Sequence, residues 1–280
     1  MKSKALIALI LCGFLAGSSG VFVKLMSSMD ASSIAWIRTM VPTVLLGLWM
    51  KYKGIAFFRG RYKKMLLASC LNALRIYLFF LAYILTSIGN AVIVCYTWPL
   101  FAALFGAIFI NEKLSNKQIF LIFMAFIGLV VAYSDKPISF EDQDFLGMLA
   151  AVSTAAIYAL TVIIYKSESN YYSRNELIFY QNFLGAFVFL PFFYFGFDSI
   201  LLNHLGLAFI FSIVIGLIGF NLFFYGLKYL KASIASSIMY LEVLSAIVFS
   251  WLIFNDFLSY RMIVGGVIIL CASFFITRTE

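Results

Sequence analysis

Three ionisable side chains lie inside long apolar stretches of this 280-residue chain. Arg38 occurs in "AWIRTMVP" (35–42), Arg75 in "ALRIY" (73–77), and Glu242 near the middle of a later stretch. An ionised group at the centre of a bilayer costs about 2.5–3.5 kcal/mol on insertion scales. If these stretches cross a membrane, the three side chains must face protein or water, where they can bind a charged ligand.

The composition indicates a membrane protein. The chain is 64% hydrophobic and 11% charged, far more apolar than a soluble domain. A membrane helix needs about 20 apolar residues, and continuous runs favour helices over a β-barrel. Ten runs lie at about 5–24, 31–50, 65–84, 89–110, 118–134, 145–165, 177–195, 204–227, 232–253 and 259–277. The first is long and lacks a cleavage site, so we interpret it as a span, not a signal peptide. We therefore predict an all-α integral membrane protein with ten transmembrane helices.

Lysine and arginine are distributed unevenly between the loops, and cytoplasmic loops collect them in membrane proteins. With the N-terminus inside, most of the 20 basic residues fall on the inner side. Lys24, Lys136 and Arg261 fall outside. We predict that both termini are cytoplasmic. We interpret the basic loops as a topology signal with some attraction for membrane lipids, and we expect no nucleic-acid partner.

The second half of the chain repeats the first. Residues 77–119 align with 221–263 without a gap. The identical pairs include Tyr96/Tyr240, Asn111/Asn255 and Ser115/Ser259. We predict a five-helix repeat over 1–134, an external linker over 135–144 and a second five-helix repeat over 145–280. Five is an odd number, so the second copy is inverted relative to the first. Inverted repeats are the architecture of alternating-access transporters, whose substrate site lies near the bilayer midplane.

The stretch "PLFAALFGAIFINEKLS" (99–115) resembles the end of the fourth helix in the drug/metabolite transporter superfamily, EamA type. That pattern has a proline, a glycine among small and aliphatic residues, and a closing glutamate, which correspond to Pro99, Gly106 and Glu112. The second copy departs from it with Val243, Ser250 and Asp256. The resemblance implies a ten-span secondary carrier. Members of the family move amino acids, nucleotide sugars, other metabolites or drugs.

The embedded charges suggest what the cavity binds. A guanidinium offers planar bidentate donors to a carboxylate or phosphate, so Arg38 is expected to recognise an anionic group beside the helix-loosening Pro42. Arg38 can instead snorkel to the interface, and Arg75 can instead form an ion pair with Glu242. Glu242 has two further interpretations: it binds a substrate amine, or it carries a coupling proton. Asn182 occupies the position equivalent to Arg38 in the second repeat.

Aromatic and amide side chains complete the predicted substrate site, although packing between helices explains any one of them equally well. The predicted substrate-binding residues are Arg38, Arg75, Tyr77, Tyr96, Trp98, Asn182, Asn221, Tyr225, Tyr240 and Glu242. Tyr96 and Tyr240 are equivalent in the repeat. Asn221 is a deep polar residue that can also bond across helices.

The residues offer little support for catalysis, metal binding or disulfide formation. The cysteines Cys12, Cys70, Cys95 and Cys271 have no paired spacing, there is one histidine, and Glu242 has no acidic neighbour at its depth. We therefore expect no enzyme, catalytic residue, metal or cofactor. We predict a carrier for an amino acid or related zwitterion or anion in the cytoplasmic (inner) membrane. The alternatives are a multidrug or nucleotide-sugar carrier of the same superfamily, a channel, or a lipid-handling protein.

Overall fold

A computed structural model describes residues 1–26, 29, 31–86, 88–134, 142–195, 202–255 and 259–279. These residues form helices and turns, and no strand occurs among them. The helices are α1 (Lys2–Gly17), α2 (Ser19–Leu25), α3 (Ala31–Tyr52), α4 (Tyr62–Leu85), α5 (Ile88–Cys95), α6 (Trp98–Ile110), α7 (Asn116–Tyr133), α8 (Asp142–Glu168), α9 (Arg174–Val188), α10 (Leu190–Phe195), α11 (Leu202–Phe211), the π-helix (Ser212–Gly219), α12 (Phe220–Tyr229), α13 (Ala232–Ile238), α14 (Leu241–Phe254) and α15 (Tyr260–Thr277). Residues 135–141 of the predicted linker, and Asp256, lie outside the described residues.

Several helical stretches have the length and composition to cross a membrane. Within the described ranges, seven qualify: Lys2–Leu25, Ser32–Tyr52, Tyr62–Ala82, Ala91–Ile110, Phe145–Glu168, His204–Tyr229 and Ala232–Phe254. Asn116–Ala132 and Tyr260–Ile276 are shorter apolar helices. The predicted span at 177–195 is divided at Phe189 between α9 and α10. The prediction of an all-helical, multi-pass membrane protein is confirmed.

Two apolar stretches are broken at equivalent places in the two halves. α5 ends at Cys95 and α6 begins at Trp98, while α13 ends at Ile238 and α14 begins at Leu241. Tyr96 and Tyr240, which the sequence alignment pairs, therefore both lie at a break. Turn hydrogen bonds continue through both breaks: the backbone N–H of Tyr96 donates to the carbonyl of Val92, and that of Tyr240 donates to the carbonyl of Ser237.

The helices after these breaks end in the same way. Asn111 and Asn255 both adopt the left-handed conformation, with φ of 53° and 52°. Asparagine tolerates this conformation better than most residues do. Ser115 and Ser259 then cap α7 and α15 by accepting hydrogen bonds from the backbone N–H of Gln118 and Met262. The identical residues of the alignment thus perform identical local tasks.

Glu112 connects the two halves of the chain. Its carboxylate accepts hydrogen bonds from the backbone N–H of Ala232 at 2.6 Å and of Ser233 at 3.4 Å, and from the Ser233 hydroxyl at 3.3 Å. It therefore caps the positive end of α13. A Cβ atom on Gly106 would lie 3.0 Å from Glu112 Oε2. The absence of a side chain at Gly106 thus leaves room for the Glu112 carboxylate that caps α13.

Helices from the first half pack directly on helices from the second. α1 packs on α12 and α14, α3 on α9 and the π-helix, α4 on α8 and α9, and α7 on α15. Small residues allow the closest approaches. A Cβ on Gly128 would lie 2.9 Å from the carbonyl oxygen of Gly265, and a Cβ on Gly17 would lie 2.6 Å from the backbone nitrogen of Ala246.

Ion pairs join the halves where the basic loops meet. We call the helix ends around residues 53–64, 111–115, 168–176 and 230–231 the basic face. There Arg59 Nε lies 2.6 Å from Glu176 Oε1 and Arg59 Nη2 lies 3.0 Å from Oε2. Glu168 Oε1 lies 3.1 Å from Lys64 Nζ. Burial raises the pKa of Glu176, but hydrogen bonds from Arg59 and Ser173 outweigh it and leave the pKa below its usual value. The basic face is therefore closed by contacts between the halves.

Candidate functional site

The structure brings the three embedded charges together. Arg38 lies in α3, Arg75 in α4 and Glu242 in the first turn of α14, and all three are half-buried. The arginines interact electrostatically with each other and with Glu242. Residues from both halves thus form one charged cluster, Arg38, Arg75 and Glu242, which we call the chamber.

The chamber contains no ion pair of its own. Among the described residues, neither arginine lies within the 4.0 Å limit for an ion pair with Glu242. Glu242 instead accepts a hydrogen bond from the side chain of Tyr96. The interpretation of Arg75 and Glu242 as a structural ion pair therefore does not describe this arrangement.

Arg38 stands apart from the other two charges. Its guanidinium carbon lies 5.5 Å from the centre of the Phe220 ring. In the described part of the chain it forms no hydrogen bond and no ion pair. A half-buried guanidinium without a protein partner keeps all five of its donors for a ligand.

Arg75 is held on two sides. Arg75 Nε donates a hydrogen bond to Asn72 Oδ1 at 3.1 Å. The guanidinium carbon also lies 4.6 Å from the centre of the Tyr158 ring, a cation–π contact. Tyr158 packs in turn on Trp98, with 4.6 Å between ring centres. Arg75, Tyr158 and Trp98 therefore form a layered wall of the chamber.

The helix breaks lie beside this wall. The Tyr240 hydroxyl donates a hydrogen bond to the backbone carbonyl of Tyr96 at 3.0 Å, which joins the two breaks directly. Trp98 and Glu242, which the alignment also pairs, occupy the first turns of α6 and α14. Discontinuous helices at the centre of a membrane protein are typical positions for substrate sites.

Four other predicted site residues do not join the chamber contacts. Asn221 accepts a hydrogen bond from Arg174 Nη1 at 2.6 Å, and the guanidinium carbon of Arg174 lies 5.1 Å from the centre of the Tyr225 ring. Asn182 uses its amide within α9, donating to the carbonyl of Ile178 at 2.8 Å. Tyr77 is 53% exposed. Asn221 and Tyr225 therefore belong to a separate cluster around Arg174.

Sequence reasoning missed Tyr158, Asn72 and Phe220. Tyr158 is the single aromatic residue in "AAVSTAAIYALTVII" (150–164), which is its one distinguishing signal. Asn72 precedes Arg75 by one helical turn, so its side chain shares a helix face with that arginine. Phe220 lies in an aromatic-rich stretch and carries no comparable signal.

The described residues offer little for metal or disulfide chemistry. No group of three or more His, Cys, Asp or Glu side chains among them is arranged to hold a metal ion. Cys12 and Cys95 are buried free thiols, and Cys70 and Cys271 are exposed free thiols. The chemistry that this chamber offers is recognition by charge and hydrogen bonding.

The chain is similar to a protein family, to named transporters and to a solved structure. The profile of the EamA-like transporter family matches residues 3–134 and 145–278. The pseudopaline exporter CntI of Pseudomonas aeruginosa (strain UCBPP-PA14) is 23% identical and is matched over 98% of its length and 100% of this chain. The S-adenosylmethionine uptake transporter of Rickettsia felis is 27% identical over 69% of this chain and 64% of its own length. One solved crystal structure has the same fold, with a TM-score of 0.86 at 14% identity over 100% of both chains.

Proposed function

We propose, from the premise that this chain belongs to the EamA-like transporter family, that it carries an amino acid or a related zwitterion or anion across the membrane by alternating access. It is a multi-pass membrane transporter, and the resemblance stated for residues 99–115 is confirmed.

Arg38 carries the proposal. A cation inside the apolar region is costly unless something neutralises it, and no described residue forms an ion pair or a hydrogen bond with the Arg38 guanidinium. A substrate carboxylate supplies the missing charge and fits the guanidinium with two parallel hydrogen bonds. Arg75 provides a second cationic group, and Tyr96, Trp98 and Tyr158 enclose the remainder of the substrate.

Glu242 fits either of two roles in this scheme. It binds the amine of a zwitterionic substrate, or it carries the proton that drives transport. The relatives support a substrate of this kind, because S-adenosylmethionine, named for the Rickettsia felis protein, contains an amino-acid carboxylate and amine.

We also propose ten transmembrane spans, arranged as inverted repeats over 1–134 and 145–280 and joined by an external linker over 135–144. The matched ranges 3–134 and 145–278 and the equivalent breaks at Tyr96 and Tyr240 support this division. The basic face is placed in the cytoplasm, with both termini, because basic loops remain on that side. The membrane is the cytoplasmic (inner) membrane.

The test is the thermal stability of the detergent-purified protein with amino acids, their derivatives, nucleotide sugars and cationic drugs. A compound at 100 times its dissociation constant adds about 2.7 kcal/mol of stability. We expect carboxylates and zwitterions to protect the wild type, and we expect Arg38→Ala to lose this protection while it keeps its ligand-free stability. Arg38→Lys is the matched control, since it keeps the charge and loses the bidentate fork.

Competitive counterflow in proteoliposomes then separates a carrier from a channel. Protection by cationic drugs or lipids alone overturns the proposed substrate class. Normal carboxylate binding by Arg38→Ala removes Arg38 from the site.

A further inference from the structure

We propose that Asn72 is a positioning residue: it orients Arg75 toward the substrate and is itself held by the second half of the chain. The inference rests on the proposed function, because Arg75 is assigned there to the substrate site. Asn72 is not itself assigned to substrate contact. It acts through Arg75.

The side chain of Asn72 is used at both ends. Its Oδ1 accepts a hydrogen bond from Arg75 Nε at 3.1 Å, and its Nδ2 donates to the backbone carbonyl of Gln181 at 2.8 Å. Asn72 is 2% exposed, so neither bond competes with bulk water. One amide therefore links an arginine of the first half to the backbone of α9 in the second half.

Asn72 belongs to a polar face of α4. Ser69, Asn72 and Arg75 are spaced three residues apart, which places them on one side of the helix. The Ser69 hydroxyl accepts a hydrogen bond from the backbone N–H of Leu184 at 2.9 Å. Two successive turns of α4 are thus bonded to the backbone of α9, and the third turn presents Arg75 to the chamber.

This arrangement leaves the two terminal nitrogens of the Arg75 guanidinium for a ligand. Nε is occupied by Asn72, and the face of the guanidinium lies on Tyr158. In the described part of the chain, the two terminal nitrogens have no hydrogen-bond partner. A carboxylate can therefore approach them from the chamber.

The corresponding contact in the second half lacks these groups. Continuing the alignment register places Gly216 at the position of Asn72 and Gly219 at that of Arg75. Both belong to the π-helix, and a Cβ on Gly216 would lie 3.0 Å from Pro42 Cγ on α3. The α4–α9 contact is hydrogen-bonded, whereas no side-chain hydrogen bond joins α3 to the π-helix among the described residues, and Ile34, Ile37 and Ile215 pack there instead.

The experiment compares three variants in detergent, Asn72→Ala, Asn72→Asp and Ser69→Ala, each labelled with ¹⁵N-arginine. Arg75 Nε–H is expected to give a protected resonance, assigned by its absence in Arg75→Lys. Asn72→Ala should lose the protection. Asn72→Asp should keep it, because the acceptor remains while the donor to Gln181 is lost. Ser69→Ala is the matched control, which removes a bond between α4 and α9 without contacting Arg75.

The affinity of the most protective compound from the stability panel is then measured by calorimetry. Asn72→Ala should bind it roughly tenfold more weakly, and Ser69→Ala should bind it like the wild type. An unchanged Arg75 resonance in Asn72→Ala overturns the positioning role, as does an equal loss of protection in Ser69→Ala. If no compound protects the wild type, the proposed function fails, and the resonance alone decides the role of Asn72.

Discussion

The three charged side chains of the chamber differ in the partners that they already have within the protein. Glu242 accepts a hydrogen bond from Tyr96, Arg75 donates to Asn72, and Arg38 contacts only an aromatic ring among the described residues. In the proposed binding mode, the anionic group of the substrate binds Arg38, and Glu242 binds a substrate amine or carries a coupling proton.

Glu242→Gln keeps the shape of the side chain and removes its charge. If Glu242 binds a substrate amine, the variant should bind a zwitterionic amino acid roughly tenfold or more weakly, because a charge-assisted hydrogen bond is lost. The des-amino carboxylate should bind as before, because Arg38 is unchanged. Thermal shifts with this pair of compounds measure the difference.

The same variant tests proton coupling. If Glu242 carries the proton, both compounds still protect Glu242→Gln, counterflow persists, and net uptake loses its dependence on a proton gradient. Wild-type behaviour in binding, counterflow and uptake contradicts both roles for Glu242.

Sequence alone distinguishes charged residues in apolar runs but not their neutral neighbours. Arg38, Arg75 and Glu242 stand out because an embedded charge needs a reason. Tyr158 and Asn72 do not, because uncharged polar residues also serve helix packing, and only the packing of α8 and α4 turns them toward the arginine. Asn221 and Tyr225 were predicted for the substrate site because they lie inside an apolar stretch. In the structure they contact Arg174 instead, and the sequence does not distinguish the two places.

At the scale of helices, close packing of α1 on α14 supports the first turn that carries Glu242. The Ser245 hydroxyl donates a hydrogen bond to the carbonyl of Gly13 at 2.9 Å. Gly17 lies one turn further along the same contact. The position of Glu242 therefore depends on two glycines of α1.

Gly17→Ala is expected to destabilise the protein by about 1–3 kcal/mol, as overpacking does in other well-packed contacts. The new Cβ would lie 2.6 Å from the backbone nitrogen of Ala246 and 2.7 Å from the carbonyl oxygen of Glu242. Gly20→Ala is the matched control, because a Cβ there meets nothing within 4 Å. Thermal unfolding in detergent should separate the two variants, and equal stability contradicts this account.

The sequence does not predict the helix breaks at Tyr96 and Tyr240 or the π-helix. Apolar residues continue through both breaks, so the hydrophobic pattern has no gap at Tyr96 or Tyr240. Pro99 marks the start of α6, but Val243 replaces it in the second half. The π-helix likewise lies in an unbroken apolar run, and a Cβ on its Gly216 would lie 3.0 Å from Pro42 Cγ of α3.

At the scale of the whole molecule, the basic face holds the two halves together by charge. The Arg59–Glu176 pair has a carboxylate whose pKa lies below its usual value, with Arg59 and Ser173 outweighing the effect of burial. A group with a lowered folded-state pKa stabilises the fold above its unfolded-state pKa, and this contribution disappears as the pH falls through the folded-state value.

The stability of the wild type should therefore fall as the pH decreases below about 4.5, the ordinary pKa of glutamate. Glu176→Gln lacks this contribution at every pH, so its stability should start lower and should approach that of the wild type in acid. Denaturant unfolding in detergent at a series of pH values measures both curves. Parallel curves contradict a stabilising role for the pair.

Composition predicts the class of this molecule well, and its polar connections poorly. Long apolar runs specify membrane helices whatever their partners are. The pairing of Arg59 with Glu176 and of Glu112 with α13 joins residues that are distant in sequence. Only the folded arrangement of the halves brings them together. The sequence resemblance singled out Gly106 and Glu112 but did not predict the contact with α13.

The cap that Glu112 places on α13 has a mechanical consequence. α13 has 7 residues and spans about 10 Å, with the Glu112 carboxylate at one end and the Tyr240 break, followed by Glu242, at the other. So short a helix transmits displacement as a stiff rod. If substrate binds Glu242 as proposed, its displacement is passed through the Tyr240 break and α13 to the cap at Glu112.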